Sequence, residues 1–144
     1  MARKDLVVGD KLWEQRGRAT GVTIKSVGPE GRRVEQTSVR EFKGFGRAQG
    51  VDGKITVTVE VLQEADTTAA GTGRGIATTN EGETIVWKYA VVGVGEPSKG
   101  VRALGVAVLS TSSMKYSWMN GLIVVAESTL DALGQEVQNI YEWK

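Results

Sequence analysis

Hydrophobic and polar residues alternate with a period of two along most of the chain, the spacing of strands with one buried face and one face in water. Between Leu12 and Ser26, Trp13, Gln15, Gly17, Ala19 and Gly21 fall on one face, and Glu14, Arg16, Arg18 and Thr20 on the other. From about Arg33 to Gly44, the charged residues Arg33, Glu35, Glu41 and Lys43 share a face with Thr37 and Val39. Val34, Gln36, Ser38, Arg40 and Phe42 take the opposite face. The charged faces are assigned to solvent. Gly28, Pro29, Glu30 and Gly31 have the chemistry of a turn. A hairpin centred there pairs odd positions of the first strand with even positions of the second. Cross-strand partners share a face, so the two inward sets, chosen separately, agree.

Further strands follow the same reasoning. Lys54 to Gln63 places Ile55, Val57, Val59 and Val61 inward, with Thr56, Thr58 and Glu60 outward. A polar turn at 64–67 leads to a strand from about Ala70 to Thr78, and Asn80 to Gly82 turns into a strand from Thr84 to Val94. That strand is largely apolar on both faces: Ile85, Trp87, Tyr89 and Val91 point one way, and Val86, Ala90, Val92 and Val94 the other, interrupted by Lys88. Val101 to Leu109 is likewise apolar on both faces, and its pattern does not say which face is inside. Ser112 or Ser113 as N-cap and Asn120-Gly121 as terminator predict a short helix near 112–119, with Met114 and Trp118 on one side. Met114, Trp118 and Met119 would then form a lid or plug over one end. The last hairpin joins Leu122–Leu130 to Gln135–Trp143 through Asp131 to Gly134, a type I turn by composition. Centring it between Ala132 and Leu133 puts Asn139 and Tyr141 inside, opposite Ala126 and Val124. Glu127 lies outside opposite Gln138, on the polar face with Glu136 and Glu142.

Eight strands joined by short turns predict an all-β fold, an eight-stranded antiparallel up-and-down barrel with one short helix near 112–119. An open two-layer sandwich is the alternative. Residues 1–11 read as a lead-in and 12–144 as a single barrel domain. With 144 residues, 40% hydrophobic and 24% charged, the chain can bury a real core. Its net charge of +1 supplies no field that would draw in nucleic acid or an anionic membrane. The first ten residues have too short an apolar run for a signal peptide, and a cytoplasmic location is the expectation.

The sequence contains no cysteine and no histidine. Thiolate nucleophiles, disulfides and the commonest general base and metal ligand are therefore absent from it, and neither a metal nor a cofactor is expected. The glycines Gly71, Gly73 and Gly75 fit no phosphate-loop pattern. They read better as places where the wall bends or backbones approach closely. The lumen candidates are Gln15, Gln36, Ser38, Arg40, Trp87, Tyr89, Asn139 and Tyr141. Arg40 is the most informative of them, because a guanidinium facing inward must be paired or solvated. It either anchors a ligand oxyanion, closes an internal salt bridge or sits at the open mouth.

The eight strands, the glycine-rich rungs and the Trp143-Lys144 ending resemble the allene-oxide-cyclase-like barrels, a calycin-like group, over roughly residues 12–143. The resemblance implies a small, often oligomeric barrel. In plant members such a barrel isomerises a fatty-acid epoxide in an apolar lumen without a cofactor; some microbial members have no known activity. No cyclase catalytic residue matches a position here, so none is carried over.

Three functions fit. One is a barrel binding a small, mostly apolar or amphipathic molecule. Another is a cofactor-free isomerase or cyclase, with Arg40 stabilising negative charge and Tyr141 donating a proton. The third is a solid structural barrel that assembles through its outer wall. The outward apolar residues of 84–94, one face of 101–109, and Ile123 and Val125 predict self-association as a dimer or trimer.

Overall fold

The computed structural model describes residues 7–64 and 67–144. The wall is β1 (Val8–Gly28), β2 (Gly31–Gly44), β3 (Gly53–Glu64), β4 (Thr68–Thr79), β5 (Thr84–Glu96), β6 (Gly100–Ser110), β7 (Ile123–Leu130) and β8 (Gln135–Trp143). Each strand runs antiparallel to the next, and β8 pairs back onto β1 to close an eight-stranded barrel. β1 starts at Val8, inside the stretch expected as a lead-in. Residues 1–6 of that lead-in, and residues 65–66 of the turn expected at 64–67, lie outside the described residues. No helix among the described residues is long and apolar enough to cross a membrane.

The inward set of the first hairpin is as predicted, by a route that alternation alone does not reveal. Gly28 pairs with Gly31 at the turn, but Trp13 pairs with Gly44 at the far end, because β1 bulges at Lys25 and again at Thr20. Each bulge inserts one residue and exchanges the faces. Two bulges restore the original parity, so Trp13 and Gln15 point inward beside Phe42 and Arg40. A third irregularity, against β8, passes over Leu12 and lets the consecutive residues Leu12 and Trp13 both be buried.

The barrel is closed at one end and open at the other. Around the closed end, Trp13, Phe42, Ile55, Ile85, Trp87, Leu109, Val124 and Ile140 fill the interior as one apolar cluster. Trp13 lies at the middle of its rings, 5.9 Å from Phe42 and 6.5 Å from Trp87 between centroids. Two 3₁₀ turns, Gly46–Ala48 and Ser117–Met119, seal this end. The second is the short helix expected near 112–119. Tyr116 enters it with no side-chain cap, while the Ser113 N–H donates to Thr111 Oγ1 at 3.0 Å. Tyr116 and Met119 are the buried plug; Met114, expected beside Trp118, is 90% exposed. Trp118 instead lies under the Arg47 guanidinium, 4.3 Å from its ring centroid.

On β4, Gly71, Gly73 and Gly75 all face inward, and the aromatic residues of β5 lean across two of them. A Cβ at Gly75 would lie 2.2 Å from Trp87 Cε2, and one at Gly73 would lie 2.8 Å from Tyr89 Cε1. These glycines are where rings pack flat on the wall, the device by which aromatic residues rescue glycine in a sheet.

The open end is uneven. β1 has 21 residues and β8 only nine, so beyond Arg18 β1 pairs with β2 alone among the described residues. This part of the hairpin stands above the rim and leaves Val22, Ile24 and Val27 exposed.

Candidate ligand site in the barrel lumen

The open half of the lumen holds a cavity of about 530 Å³. Its walls carry Val59, Val61, Val91, Val101, Ala103 and Leu130, and at its floor stand Gln36, Arg40, Tyr89, Glu136 and Gln138. β6 and β7 present the small residues Ala103, Gly105, Ala107 and Ala126 to the interior, where β5 presents rings; Ala103 lines this cavity, and the other three line a narrower space nearer the closed end. The inner face of β6, undecided by its pattern, is therefore the small-residue one; Leu104, Val106 and Val108 face out.

The floor is one hydrogen-bonded group. Arg40 donates from Nε to Glu136 Oε2 at 2.9 Å, and its Nη2 lies 2.8 Å from the same oxygen. Its Nη1 donates to Gln15 Oε1 at 3.1 Å. The other carboxylate oxygen of Glu136 accepts from Gln36 Nε2 at 2.9 Å and from Ser38 Oγ at 3.3 Å. Arg40 and Glu136 are not on adjacent strands: both are register partners of Gly17 on β1, one on each side. Gly17 has no side chain to stand between them, and a Cβ there would lie 2.8 Å from Arg40 Cγ and 2.1 Å from the Val39 carbonyl oxygen. The salt-bridge reading of Arg40 is the observed one. Its charge is neutralised inside the barrel, which argues against the oxyanion-anchor reading.

Of the predicted lumen residues, Gln15, Gln36, Ser38, Arg40, Trp87 and Tyr89 converge inside. Asn139 and Tyr141 do not. The last turn closes with Gly134 N–H donating to the Asp131 carbonyl at 3.0 Å and Asp131 N–H to the Gln135 carbonyl at 3.0 Å, with Gly134 at φ +82°. This left-handed glycine adds one residue to the loop, as in a type I turn followed by a glycine bulge. Leu130 consequently pairs with Glu136 rather than Gln135, and every side chain of β8 changes face. Asn139 pairs with Glu14 and Glu127, and Tyr141 with Lys11 and Val125, on the outer wall. Glu136, Gln138, Ile140 and Glu142 take the inside. Sequence reasoning missed both buried glutamates, Glu136 and Glu142; the glycine at the end of the turn was the signal that could have found them. Glu142 serves the closed end, where Arg47 Nη2 reaches its Oε1 at 2.7 Å.

Two polar groups beside the floor remain uncommitted. Among the described residues, neither the Tyr89 hydroxyl nor the Gln138 amide makes a hydrogen bond. Burial pushes the Tyr89 phenol up to about 12; the nearby Arg40 opposes the shift and Glu136 adds to it. At any ordinary pH Tyr89 therefore presents an intact O–H donor to the cavity.

No protein-family model matches the chain, and no curated protein matches it. Solved structures do. A conserved protein of unknown function from Rhodopseudomonas palustris superposes with a TM-score of 0.79 at 13% identity, covering 99% of this chain and 100% of that one. A β-barrel-like protein from Acinetobacter baumannii AYE gives 0.77 at 17% identity, covering 99% of each chain. A protein described as an enzyme from Penicillium herquei gives 0.75 at 15% identity, covering 100% of this chain and 98% of that one. At such identities the likeness establishes the barrel fold alone. None of these three bears an allene-oxide-cyclase name.

Proposed function

We propose that this barrel binds a small, uncharged and predominantly apolar molecule in the open half of its lumen. One observation carries the reading: a cavity of about 530 Å³ with apolar walls ends on a floor whose two charges neutralise each other, beside two unused hydrogen-bonding side chains. Ligand cavities are commonly mostly apolar, with a few placed polar groups that fix orientation. An anionic ligand fits less well, since it would have to take Arg40 from Glu136 and leave that carboxylate buried without a partner. The solid-barrel alternative describes the closed half only. The isomerase alternative has in its favour that the Penicillium herquei neighbour is described as an enzyme. Tyr141 faces outward, so in that reading Tyr89 is the lumen phenol able to donate a proton.

The test is native mass spectrometry of protein purified from its source, together with Nile red binding. The wild-type chain should carry a small-molecule mass and enhance the dye's fluorescence. Val91→Trp, which places an indole in the cavity, should lose both while still folding. Wild-type protein that carries no extra mass and leaves the dye dark would refute the reading.

A further inference from the structure

The part of the β1–β2 hairpin that stands above the rim carries an apolar face, and the register shows that it is the lumen face. Val22 pairs with Gln36, Ile24 with Val34 and Val27 with Arg32, and cross-strand partners share a face. Gln36 points to the floor, donating to Glu136 Oε1 at 2.9 Å. Val34 is buried, and Val27 and Arg32 both line the main cavity. The two bulges of β1 produce this arrangement. Unbroken alternation from Gln15 would turn Gly21, Thr23 and Lys25 inward and Val22 and Ile24 outward. The bulge at Thr20 brings Val22 and Ile24 to the lumen side, and the bulge at Lys25 returns Val27 to it. Lys25 goes to the outer wall, where its Nζ lies 3.5 Å from Glu35 Oε2 and 3.6 Å from Glu60 Oε2. This end of β1 thus sorts its cation out and its large apolar side chains in. Yet Val22, Ile24 and Val27 are 58%, 53% and 75% exposed, an inward apolar face left in water.

We infer that this face is the outer end of the lumen site, and that the ligand is an extended apolar chain, longer than the enclosed cavity, whose trailing end lies along Val22, Ile24 and Val27. The inference rests on the lumen-binding reading and narrows its ligand class to extended chains. Continuity of the surface carries it. The row begins beside Gln36 and ends in Val27, both part of the cavity lining, with Ile24 between them. A compact ligand held on the floor would leave the row in water. A chain running out of the mouth covers it, and burying apolar surface is what favours the longer molecule.

The probes are straight-chain primary alcohols from 1-octanol to 1-hexadecanol, which are uncharged and differ only in length. Binding is read by displacement of Nile red and in methyl-labelled protein, where Val91 reports on the cavity and Val22, Ile24 and Val27 report on the hairpin. 1-Octanol should shift the Val91 methyls and leave those of Val22 and Ile24 in place, whereas the longest alcohols should shift both sets. Each methylene that leaves water should tighten binding roughly fourfold, and the gain should continue beyond the length at which the hairpin methyls first respond. Val22→Thr with Ile24→Thr keeps β-branched side chains suited to a strand and removes apolar surface. This double variant should narrow the affinity ratio of 1-hexadecanol over 1-octanol roughly tenfold. If Val91 responds and no alcohol shifts the hairpin methyls, or if the double variant keeps the wild-type ratio, the extension is wrong while lumen binding stands. If the hairpin methyls move on dilution of the protein without any alcohol, a second copy covers the face, and the extension is again wrong. If no alcohol shifts Val91 or displaces Nile red, the lumen-binding reading fails, and the inference falls with it.

Discussion

The floor of the lumen offers the sharpest test of the architecture. Glu136→Gln keeps the shape of the side chain and removes its charge. In the native barrel the side chains of Arg40 and Glu136 are only 7% and 8% exposed, so little water is available to replace the lost partner. The carboxylate accepts from Arg40 and, through its other oxygen, from Gln36 and Ser38. A glutamine there keeps one acceptor oxygen and turns an NH₂ group toward donors on one of the two sides. Breaking a buried pair by neutralising one member costs about 3–5 kcal/mol, mostly because the surviving charge stays buried. With a urea m-value of roughly 2 kcal/mol/M, the unfolding midpoint should drop by about 2 M. Replacing both residues with apolar ones, Arg40→Met with Glu136→Leu, should recover most of this loss, since an apolar pair is often as stable as a buried ion pair. The assay is equilibrium urea unfolding followed by far-ultraviolet circular dichroism. A midpoint shift for Glu136→Gln below about 0.5 M, equivalent at that m-value to roughly 1 kcal/mol, would mean that the pair is solvated and that the floor is not the closed, neutral surface described above.

Three other outcomes are expected. Gly17→Ala puts a Cβ 2.1 Å from the Val39 carbonyl oxygen and should cost roughly 1–3 kcal/mol by forced backbone movement, read as a lower thermal midpoint; an unchanged midpoint would show that the wall has slack beside Arg40. Spectrophotometric titration should find one tyrosine ionising near 12, and Tyr89→Phe should remove that phase; because the folded value lies above the unfolded one, the native state holds its proton longer, and stability from this group, on the order of 2 kcal/mol, is present below pH 10 and lost as pH rises toward 12. The outer strip of Val86, Val92, Val94, Leu104, Val106 and Val108, all more than 40% exposed, is expected to be covered by another copy of the chain; light scattering at micromolar concentration should give a multiple of the 15.4 kDa chain mass and the single-chain mass for Val92→Glu, whereas a monomeric wild type would remove self-association as the explanation of the strip.

What alternation could determine by itself, it determined. The inward residues of β2, β3 and β5 follow from a period of two and from sorting charge away from the core, and neither needs knowledge of a partner strand. The barrel follows from eight such strands joined by short turns. The rest depended on relations between strands. β6 is apolar on both faces, so its own pattern cannot orient it; pairing with β5 and β7 does. In β8 a single glycine in the left-handed region lengthened the turn by one residue. That exchanged Asn139 and Tyr141 for Glu136 and Gln138, because a strand has only two faces and a one-residue slip swaps them. Arg40 was legible as a buried charge that had to be paired, but its partner lies 96 residues away, on a strand that reaches it only across Gly17. Whether the lumen is empty or filled is set by which side chains face each other across the closed barrel. Rings on β5 fill the plugged half, and small inward residues such as Ala69, Gly93 and Ala103 line the open half. That juxtaposition exists only once β8 has closed onto β1.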